Sequence, residues 1–190
     1  LQLIVTGMRL NIAFITGRSR PGNLALSPVQ SLFLQSLLTE GAMSVTENFP
    51  WIPQTQPWCD TGLLRASCSN ARDYLTSRRA AFAERYRNIA IALLESADHT
   101  LLLSGSCGLE LFNNLHLPSS VLSRVSIFAY GPVARQRPDC HHLLVQGQQD
   151  WISRLWFHQA DARIPCGHMD YLSQPELVCL CQRFINQIRK

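Results

Sequence analysis

A serine, an aspartate and a histidine each stand in a short loop that directly follows an apolar run. Ser106 lies in SGSCG (104–108), Asp150 ends VQGQQD (145–150), and His168 lies in PCGHMD (165–170). A serine hydroxyl becomes a nucleophile when a histidine takes its proton, and a carboxylate behind that histidine stabilises the imidazolium. These residue types predict acyl transfer, provided that the fold brings the three loops together.

The loop around Ser106 has the pattern of a sharp turn from a strand into a helix. Such a turn strains the backbone of its central residue and admits only small residues two positions before and after it. Ser104 and Gly108 fill those positions, although the first is usually glycine. The alternative is a Gly/Ser-rich turn that merely caps a helix. Cys107 fits the central position less well, because Leu109 is too large two positions later.

The carboxylate and the histidine each have a simpler alternative. Asp150 is also well placed to be the N-cap of a helix that begins at Trp151. A loop histidine such as His168 is often just solvated, although Gly167 beside it allows a close approach of the backbone to the site. Asp170, two residues after the histidine, is the fallback acid.

Six apolar runs predict the strands that would position these loops, at 11–16, 43–47, 100–103, 124–130, 142–145 and 162–165. Helical patterns alternate with them, and the strands are apolar throughout, which is typical of a parallel sheet covered on both faces. The predicted fold class is therefore α/β. We expect one domain over residues 1–190, a three-layer αβα sandwich with a mostly parallel sheet of about six strands.

The helical patterns carry further local predictions. Ser27 is expected to cap the first helix, which ends before Gly41. One long helix is predicted over about 70–96, with a buried stripe of Phe82, Tyr86, Ile89 and Leu93. Trp151, Ile152, Leu155 and Trp156 predict a helix by their spacing of i, i+1, i+4 and i+5. The last helix would open with a capping box of Ser173 and Glu176 and bury Leu177, Val178, Cys181, Phe184, Ile185 and Ile188.

The chain order Ser, Asp, His and the turn around Ser106 resemble those of the α/β-hydrolase superfamily, in particular its compact esterases without a lid. The likeness covers nearly the whole chain. It implies a serine hydrolase that cleaves an ester or thioester through an acyl-enzyme, with no cofactor. It also implies that the backbone N–H groups of Arg18, in TGR (16–18), and Cys107 stabilise the oxyanion. A scaffold or binding protein that kept the fold but lost the activity is the alternative.

A substrate cover is expected from the long irregular connection at 49–69, since Asp150 follows Ser106 by only 44 positions, which leaves no room for a cap domain. Aromatic and apolar side chains in this connection, Phe49, Trp51, Ile52 and Trp58, are the candidate walls of an acyl pocket. Ordinary packing of the connection on the domain explains them equally well.

Composition excludes several classes of protein. Apolar residues make up 46% of the 190 residues and charged ones 16%, which excludes a disordered chain. No apolar run is long enough for a membrane span, and the sixteen arginines form no patch with aromatic residues that would predict a nucleic-acid surface. The segment GRSRPGN (17–23) lacks a dinucleotide-binding fingerprint.

The cysteines predict free thiols rather than a metal site. Their number is seven, and no secretory signal is evident, so a reducing, cytoplasmic location is expected. Potential metal ligands occur in CHH (140–142), CGH (166–168) and CLC (179–181), but none has the spacing of a structural zinc site. A cysteine nucleophile at Cys107 or Cys166 is a weaker alternative still. The expected partner is a small-molecule ester or thioester, and the sequence does not indicate an oligomeric state.

Overall fold

A computed structural model describes residues 7–51 and 58–190 of the chain. Its strands are β1 (Leu10–Ile15), β2 (Ala42–Ser44), β3 (His99–Gly105), β4 (Val125–Tyr130), β5 (His141–Gly147) and β6 (Ala162–Ile164). All pair in parallel, in the order β2-β1-β3-β4-β5-β6. The prediction of an α/β fold with about six mostly parallel strands is confirmed.

Seven helices connect the strands of the described chain. They are α1 (Pro28–Leu37), α2 (Leu63–Ser77), α3 (Ala80–Glu95), α4 (Gly108–Asn113), α5 (Ser119–Leu122), α6 (Trp151–Trp156) and α7 (Pro175–Ile188). A 3₁₀ turn at Tyr171–Ser173 precedes α7. Among the described helices, none is both long and apolar enough to cross a bilayer.

The sheet separates two hydrophobic clusters, because alternate residues of a strand point to opposite faces. In β3, Leu101 and Leu103 pack on the face covered by α1 and α7, whereas Leu102 packs on the face covered by α3, α4 and α5. All three leucines are fully buried. Burial on both faces explains why the strands read as continuous apolar runs rather than as alternating ones.

The helix predicted over 70–96 is in fact two helices. The chain is extended at Arg79 (φ −86°, ψ 142°), so α2 ends before this residue and α3 begins after it. Helix α2 also begins at Leu63, inside the connection that was predicted to be irregular. The sequence across the break contains neither proline nor glycine, and for this reason the pattern gave no sign of it.

The buried face of α3 also differs from the predicted stripe. Phe82 and Tyr86 are buried as expected, and both pack edge-on against Trp51, with ring centroids 6.1 and 5.3 Å away. The face then continues through Ala90 and Leu94, and Ile89 is exposed. Because the aromatic contact with Trp51 fixes the rotation of α3, the buried residues follow a spacing of four.

The two predicted helix starts have different outcomes. Ser27 caps α1 as predicted, since its Oγ accepts the Gln30 N–H at 3.2 Å and the Gln30 side chain accepts the Ser27 N–H at 2.9 Å. The capping box of Ser173 and Glu176 does not form. Ser173 belongs to the 3₁₀ turn, where its hydroxyl donates to the Asp170 carbonyl at 2.9 Å, and α7 begins only at Pro175. The apolar face of α7 itself packs on the sheet as predicted.

Helix α6 forms at the predicted position but does not bury its apolar residues. Trp151 is 67% exposed and Leu155 is 70% exposed, whereas Trp156 is 40% exposed and packs against Tyr74, with ring centroids 5.3 Å apart. The buried residue of this helix is Ser153. Periodicity therefore predicted the helix correctly, although most of its apolar residues are exposed.

Candidate active site

Ser106 occupies a strained turn between β3 and α4. Its φ is +48°, a left-handed conformation that is uncommon for any residue other than glycine. A Cβ on Gly108 would lie 1.9 Å from the carbonyl oxygen of Ile15, so only glycine fits there. Ser104 fits at the first small position, fully buried. The predicted sharp turn is therefore present, and it holds Ser106 at the carboxyl end of the sheet.

The side chains of Ser106, His168 and Asp150 lie in one line of hydrogen bonds. Ser106 Oγ lies 3.2 Å from His168 Nε2, and His168 Nδ1 lies 3.0 and 2.9 Å from the two carboxylate oxygens of Asp150. A carboxylate only accepts, so Nδ1 carries the ring proton and Nε2 is free to accept from the serine. The three loops follow β3, β5 and β6, which end at the same edge of the sheet.

Asp150 is both the partner of the histidine and the cap of α6. Its Oδ1 accepts the backbone N–H of Ser153 at 3.0 Å, and its Oδ2 accepts the hydroxyl of Tyr171 at 2.5 Å. Burial by itself raises the pKa of Asp150, but the hydrogen bonds from His168, Tyr171 and Ser153 outweigh it and hold that pKa below its ordinary value. The carboxylate is therefore charged and fixed in orientation at neutral pH.

Tyr171 is a part of the site that the sequence did not reveal. Its hydroxyl donates to Asp150 and accepts the backbone N–H of Gly147 at 2.6 Å, and its side chain is buried. A Cβ on Gly131, where φ is +57°, would lie 2.6 Å from the Tyr171 ring and 3.0 Å from Asp150 Oδ2. The only available signal was a tyrosine three residues after the candidate histidine, which no spacing rule singles out.

Known proteins match this chain in structure but not in sequence. No family model matches it, and no curated protein matches it. A serine hydrolase without a lid from Xanthomonas campestris is similar at 16% identity and a TM-score of 0.52, over 99% of this chain and 86% of that one. A carboxylesterase from Mesorhizobium loti is similar at 16% identity and a TM-score of 0.55, over 93% and 87%. The esterase PE8 is similar at 17% identity and a TM-score of 0.52, over 96% and 93%.

This chain has the α/β-hydrolase fold. The sequence resemblance to that superfamily is thereby confirmed at the level of the fold. Identities of 12–17% carry no argument about the substrate.

One of the two predicted oxyanion donors is already engaged in this α/β-hydrolase fold. The backbone N–H of Arg18 donates to Asp73 Oδ2 at 2.8 Å, and the Arg18 guanidinium pairs with Asp73 Oδ1 at 2.8 Å. The role of this N–H as an oxyanion donor stays a prediction, and it requires release of the contact with Asp73. Sequence reasoning missed Asp73 because it lies 55 residues away, in a helix that pattern alone placed incorrectly. Cys107, the other predicted donor, directly follows Ser106 at the start of α4.

Two of the four predicted pocket walls are core residues. Phe49 and Trp51 belong to the hydrophobic core, with 4% and 5% of their surface exposed. The indole N–H of Trp51 donates to the Thr16 carbonyl at 3.1 Å, which fixes the ring under the sheet edge. Trp58 is 38% exposed, and Ile52 lies outside the described residues. Ordinary packing, the alternative explanation, holds for Phe49 and Trp51.

The alternative chemistries have little support in the described residues. No group of three or more His, Cys, Asp or Glu side chains is arranged there to hold a metal ion. Burial raises the pKa of Cys107 to about 12 and that of Cys166 to about 11, so both thiols are protonated and poorly nucleophilic at neutral pH. Asp170, the fallback acid, has an exposed side chain, and the contacts of His168 Nδ1 are with Asp150 instead.

Proposed function

We propose that this protein is a serine hydrolase that cleaves an ester or thioester through Ser106, His168 and Asp150. The observation that carries the proposal is the unbroken hydrogen-bond line from Ser106 Oγ through the imidazole to a buried carboxylate. The strained turn at Ser106 adds support, because it places the hydroxyl at the edge of the sheet where substrates bind in this class of fold.

In the first step, Ser106 Oγ attacks the carbonyl carbon of the substrate while His168 Nε2 takes the hydroxyl proton. Both ring nitrogens then carry protons, and the charge of Asp150 stabilises the imidazolium through Nδ1. The carboxylate of Asp150 is already oriented before this step, since the Ser153 N–H and the Tyr171 hydroxyl each donate a hydrogen bond to one of its oxygens.

The tetrahedral intermediate carries a negative oxygen that needs hydrogen-bond donors. The N–H of Cys107 is the donor that we assign, because it follows the nucleophile directly and opens α4. A second donor at Arg18 requires that the substrate oxygen displace the Asp73 carboxylate from that N–H.

Collapse of the intermediate breaks the bond to the leaving group, and His168 returns its proton to the departing alkoxide or thiolate. The acyl group remains on Ser106 Oγ. A water molecule then attacks the acyl carbon while His168 Nε2 takes its proton. The bond between the acyl carbon and Ser106 Oγ breaks, His168 returns the proton to Oγ, and the product carboxylic acid leaves. No step of this sequence requires a cofactor.

Labelling with a fluorophosphonate tests the proposal directly. The activated Ser106 Oγ attacks phosphorus and expels fluoride, so the parent chain is expected to gain one covalent adduct by mass spectrometry. Ser106→Ala should abolish both the adduct and the hydrolysis of a short activated ester. Ser123→Ala, at an exposed serine on the other side of the domain, is the matched control and should label fully. An unlabelled parent chain, or an adduct that survives in Ser106→Ala, contradicts the proposal.

A second candidate function is ligand binding without catalysis, and one contact favours it. Asp73 holds the Arg18 N–H with a buried carboxylate, 1% exposed, where the hydrolase needs a free donor. The same labelling experiment separates the two candidates, because an inactive binding protein leaves Ser106 unmodified.

A further inference from the structure

Helix α2 directs polar residues toward the rest of the domain. Ser69, Asp73 and Ser77 follow one another at intervals of four, so they lie on one face of the helix, and all three are buried. Asp73 Oδ1 accepts from the Arg18 guanidinium at 2.8 Å, and Ser77 Oγ accepts from the Asn114 side chain at 3.0 Å. Polar contacts therefore hold this face of α2 on the domain.

The opposite face of α2 carries apolar residues and points to solvent. Leu64, Cys68, Ala71 and Leu75 follow one another at intervals of four, three and four, which places them on one line along the helix. All four are exposed, Leu64 by 80% and Leu75 by 59%. We name these four residues the α2 stripe. An apolar line of this kind is normally buried, so its exposure indicates a partner that covers it.

The charges beside the α2 stripe are positive. Arg65 and Arg72 are seven residues apart and flank the stripe on one side, and two further arginines follow at 78–79. All four arginines are exposed. The only acidic residue in 61–83 is Asp73, which is buried and already ion-paired. The surface of α2 is therefore complementary to a negatively charged partner.

An anionic phospholipid bilayer is the partner that uses both the leucines and the arginines. Apolar side chains enter the boundary of the hydrocarbon region, while arginines remain among the lipid phosphates. A nucleic acid would pair with the arginines but leave Leu64 and Leu75 uncovered, and the α2 stripe has no aromatic ring on which a base could stack. A second copy docked through the same face would bring arginines against arginines, which is unfavourable.

Helix α2 adjoins the helix that begins at the candidate active site. Tyr74 of α2 packs against Trp156 of α6, with ring centroids 5.3 Å apart. Helix α6 is capped by Asp150, the carboxylate that contacts His168. A partner that covers α2 is therefore a neighbour of the active-site end of the domain.

We propose that the α2 stripe docks this protein on the surface of an anionic phospholipid bilayer, with α2 lying flat in the headgroup region. The leucines enter the acyl boundary, and the arginines pair with the phosphates and carboxylates of the lipids. This contact goes beyond the proposed hydrolysis and does not depend on it.

Sedimentation with vesicles measures the docking of the intact chain. The vesicles are pure phosphatidylcholine or phosphatidylcholine with about one third phosphatidylserine. A basic residue near an anionic membrane surface contributes about fivefold in affinity. The parent chain is therefore expected to bind the vesicles with phosphatidylserine and to bind pure phosphatidylcholine at least about 25-fold more weakly. Arg65→Gln combined with Arg72→Gln should weaken binding to the anionic vesicles by about 25-fold.

The apolar contribution is tested by Leu64→Gln combined with Leu75→Gln, which should weaken binding at least about tenfold. Both leucines are exposed and glutamine is a good helix former, so the fold is expected to be kept, and circular dichroism checks it. Leu32→Gln, at a 66% exposed leucine of α1, and Arg183→Gln, at an exposed arginine of α7, are the matched controls. Both lie on helices of the other face of the sheet and should bind as the parent does.

A polarity-sensitive fluorophore on Cys68 reports contact of the α2 stripe itself. Cys68 and Cys179 are both exposed, and each is labelled alone after the other exposed cysteines are replaced by serine. The emission from Cys68 should shift to the blue on anionic vesicles, and that from Cys179 on α7 should not. Ser106→Ala should bind vesicles as the parent does, so a failure of hydrolysis and a failure of docking are separate results.

Four results overturn the proposal. One is the absence of binding to the anionic vesicles by the parent chain. Another is binding that falls in the arginine variant but not in the leucine variant, which would indicate a surface for an anionic polymer such as a nucleic acid. The third is a dimer without lipid that the leucine variant abolishes, which would make a second copy the partner. The fourth is an equal blue shift at Cys68 and Cys179.

Discussion

Replacing Asp150 by asparagine separates its two roles, because asparagine caps a helix as well as aspartate does. The side-chain oxygen of Asn can keep the Ser153 N–H, which is now accepted at 3.0 Å. Its N–H₂ group then faces His168 Nδ1, which must become an acceptor. The ring proton moves to Nε2, and Nε2 can no longer take the proton of Ser106.

The expected loss in kcat is about 10⁴-fold, the size of the same change in a serine protease, where the wrong tautomer is the cause. At 1.36 kcal/mol for each factor of ten, this is about 5.4 kcal/mol of lost transition-state stabilisation. The cap survives, but an N–H₂ group replaces the oxygen that accepts from Tyr171, so the Tyr171 hydroxyl loses its acceptor. The free energy of unfolding should therefore fall by only about 1–2 kcal/mol.

The assay measures both kcat on one activated ester and the free energy of unfolding in urea, for the parent and each variant from the same preparations. Asp170→Asn is the matched control, since Asp170 is exposed and lies two residues after His168, and it should keep full activity. An Asp150→Asn variant with unchanged kcat would refute the tautomer argument. If Asp150→Asn is active and Asp170→Asn is inactive, Asp170 is the carboxylate that pairs with His168.

The remaining predictions concern the support of Asp150. Tyr171→Phe leaves the Gly147 N–H without a partner and removes one of the two hydrogen bonds to Asp150 Oδ2, so urea unfolding should show a loss of about 2 kcal/mol, and kcat should fall about tenfold. Gly131→Ala places a Cβ at φ +57° against Tyr171 and Asp150 and should cost about 3 kcal/mol, whereas Gly62→Ala, which meets open space, should cost little. Because the pKa of Asp150 is lower in the folded state, its ionised form stabilises the fold above the ordinary pKa of about 3.9. The difference in free energy of unfolding between the parent and Asp150→Asn should therefore persist at pH 7. It should narrow when unfolding is measured below about pH 4.

The strands and the loops that follow them could be predicted from the sequence because local patterns determine them. Burial on both faces makes each strand a continuous apolar run, and parallel pairing brings the ends of those runs to one edge. The small residues around Ser106 likewise reflect a steric requirement, because a side chain at Gly108 would collide with the Ile15 carbonyl. Three residues far apart in sequence were therefore correctly expected at one edge of the sheet.

The errors concern contacts between segments that no local pattern encodes. The contact between the Arg18 N–H and Asp73 was not anticipated, because Asp73 lies in a helix whose start the pattern missed. Trp51 is apolar and aromatic, and these properties suit a pocket wall and a core residue equally. The spacing that predicted α6 does not specify which surface the helix contacts, and Trp151 is exposed in the structure.

Asp150 both pairs with His168 and caps α6, and these two roles affect how such proteins would change in sequence if the activity were lost. Selection for folding alone would still remove most replacements of Asp150, because the first turn of α6 needs a side-chain oxygen to accept the Ser153 N–H. Asparagine is the replacement that would be tolerated, since it also caps a helix. Ser106 has no such protection, since its hydroxyl is hydrogen-bonded to His168 and fills no gap in the core. Among descendants, a retained Ser106 therefore indicates retained activity, whereas a retained Asp150 indicates only that α6 is still capped.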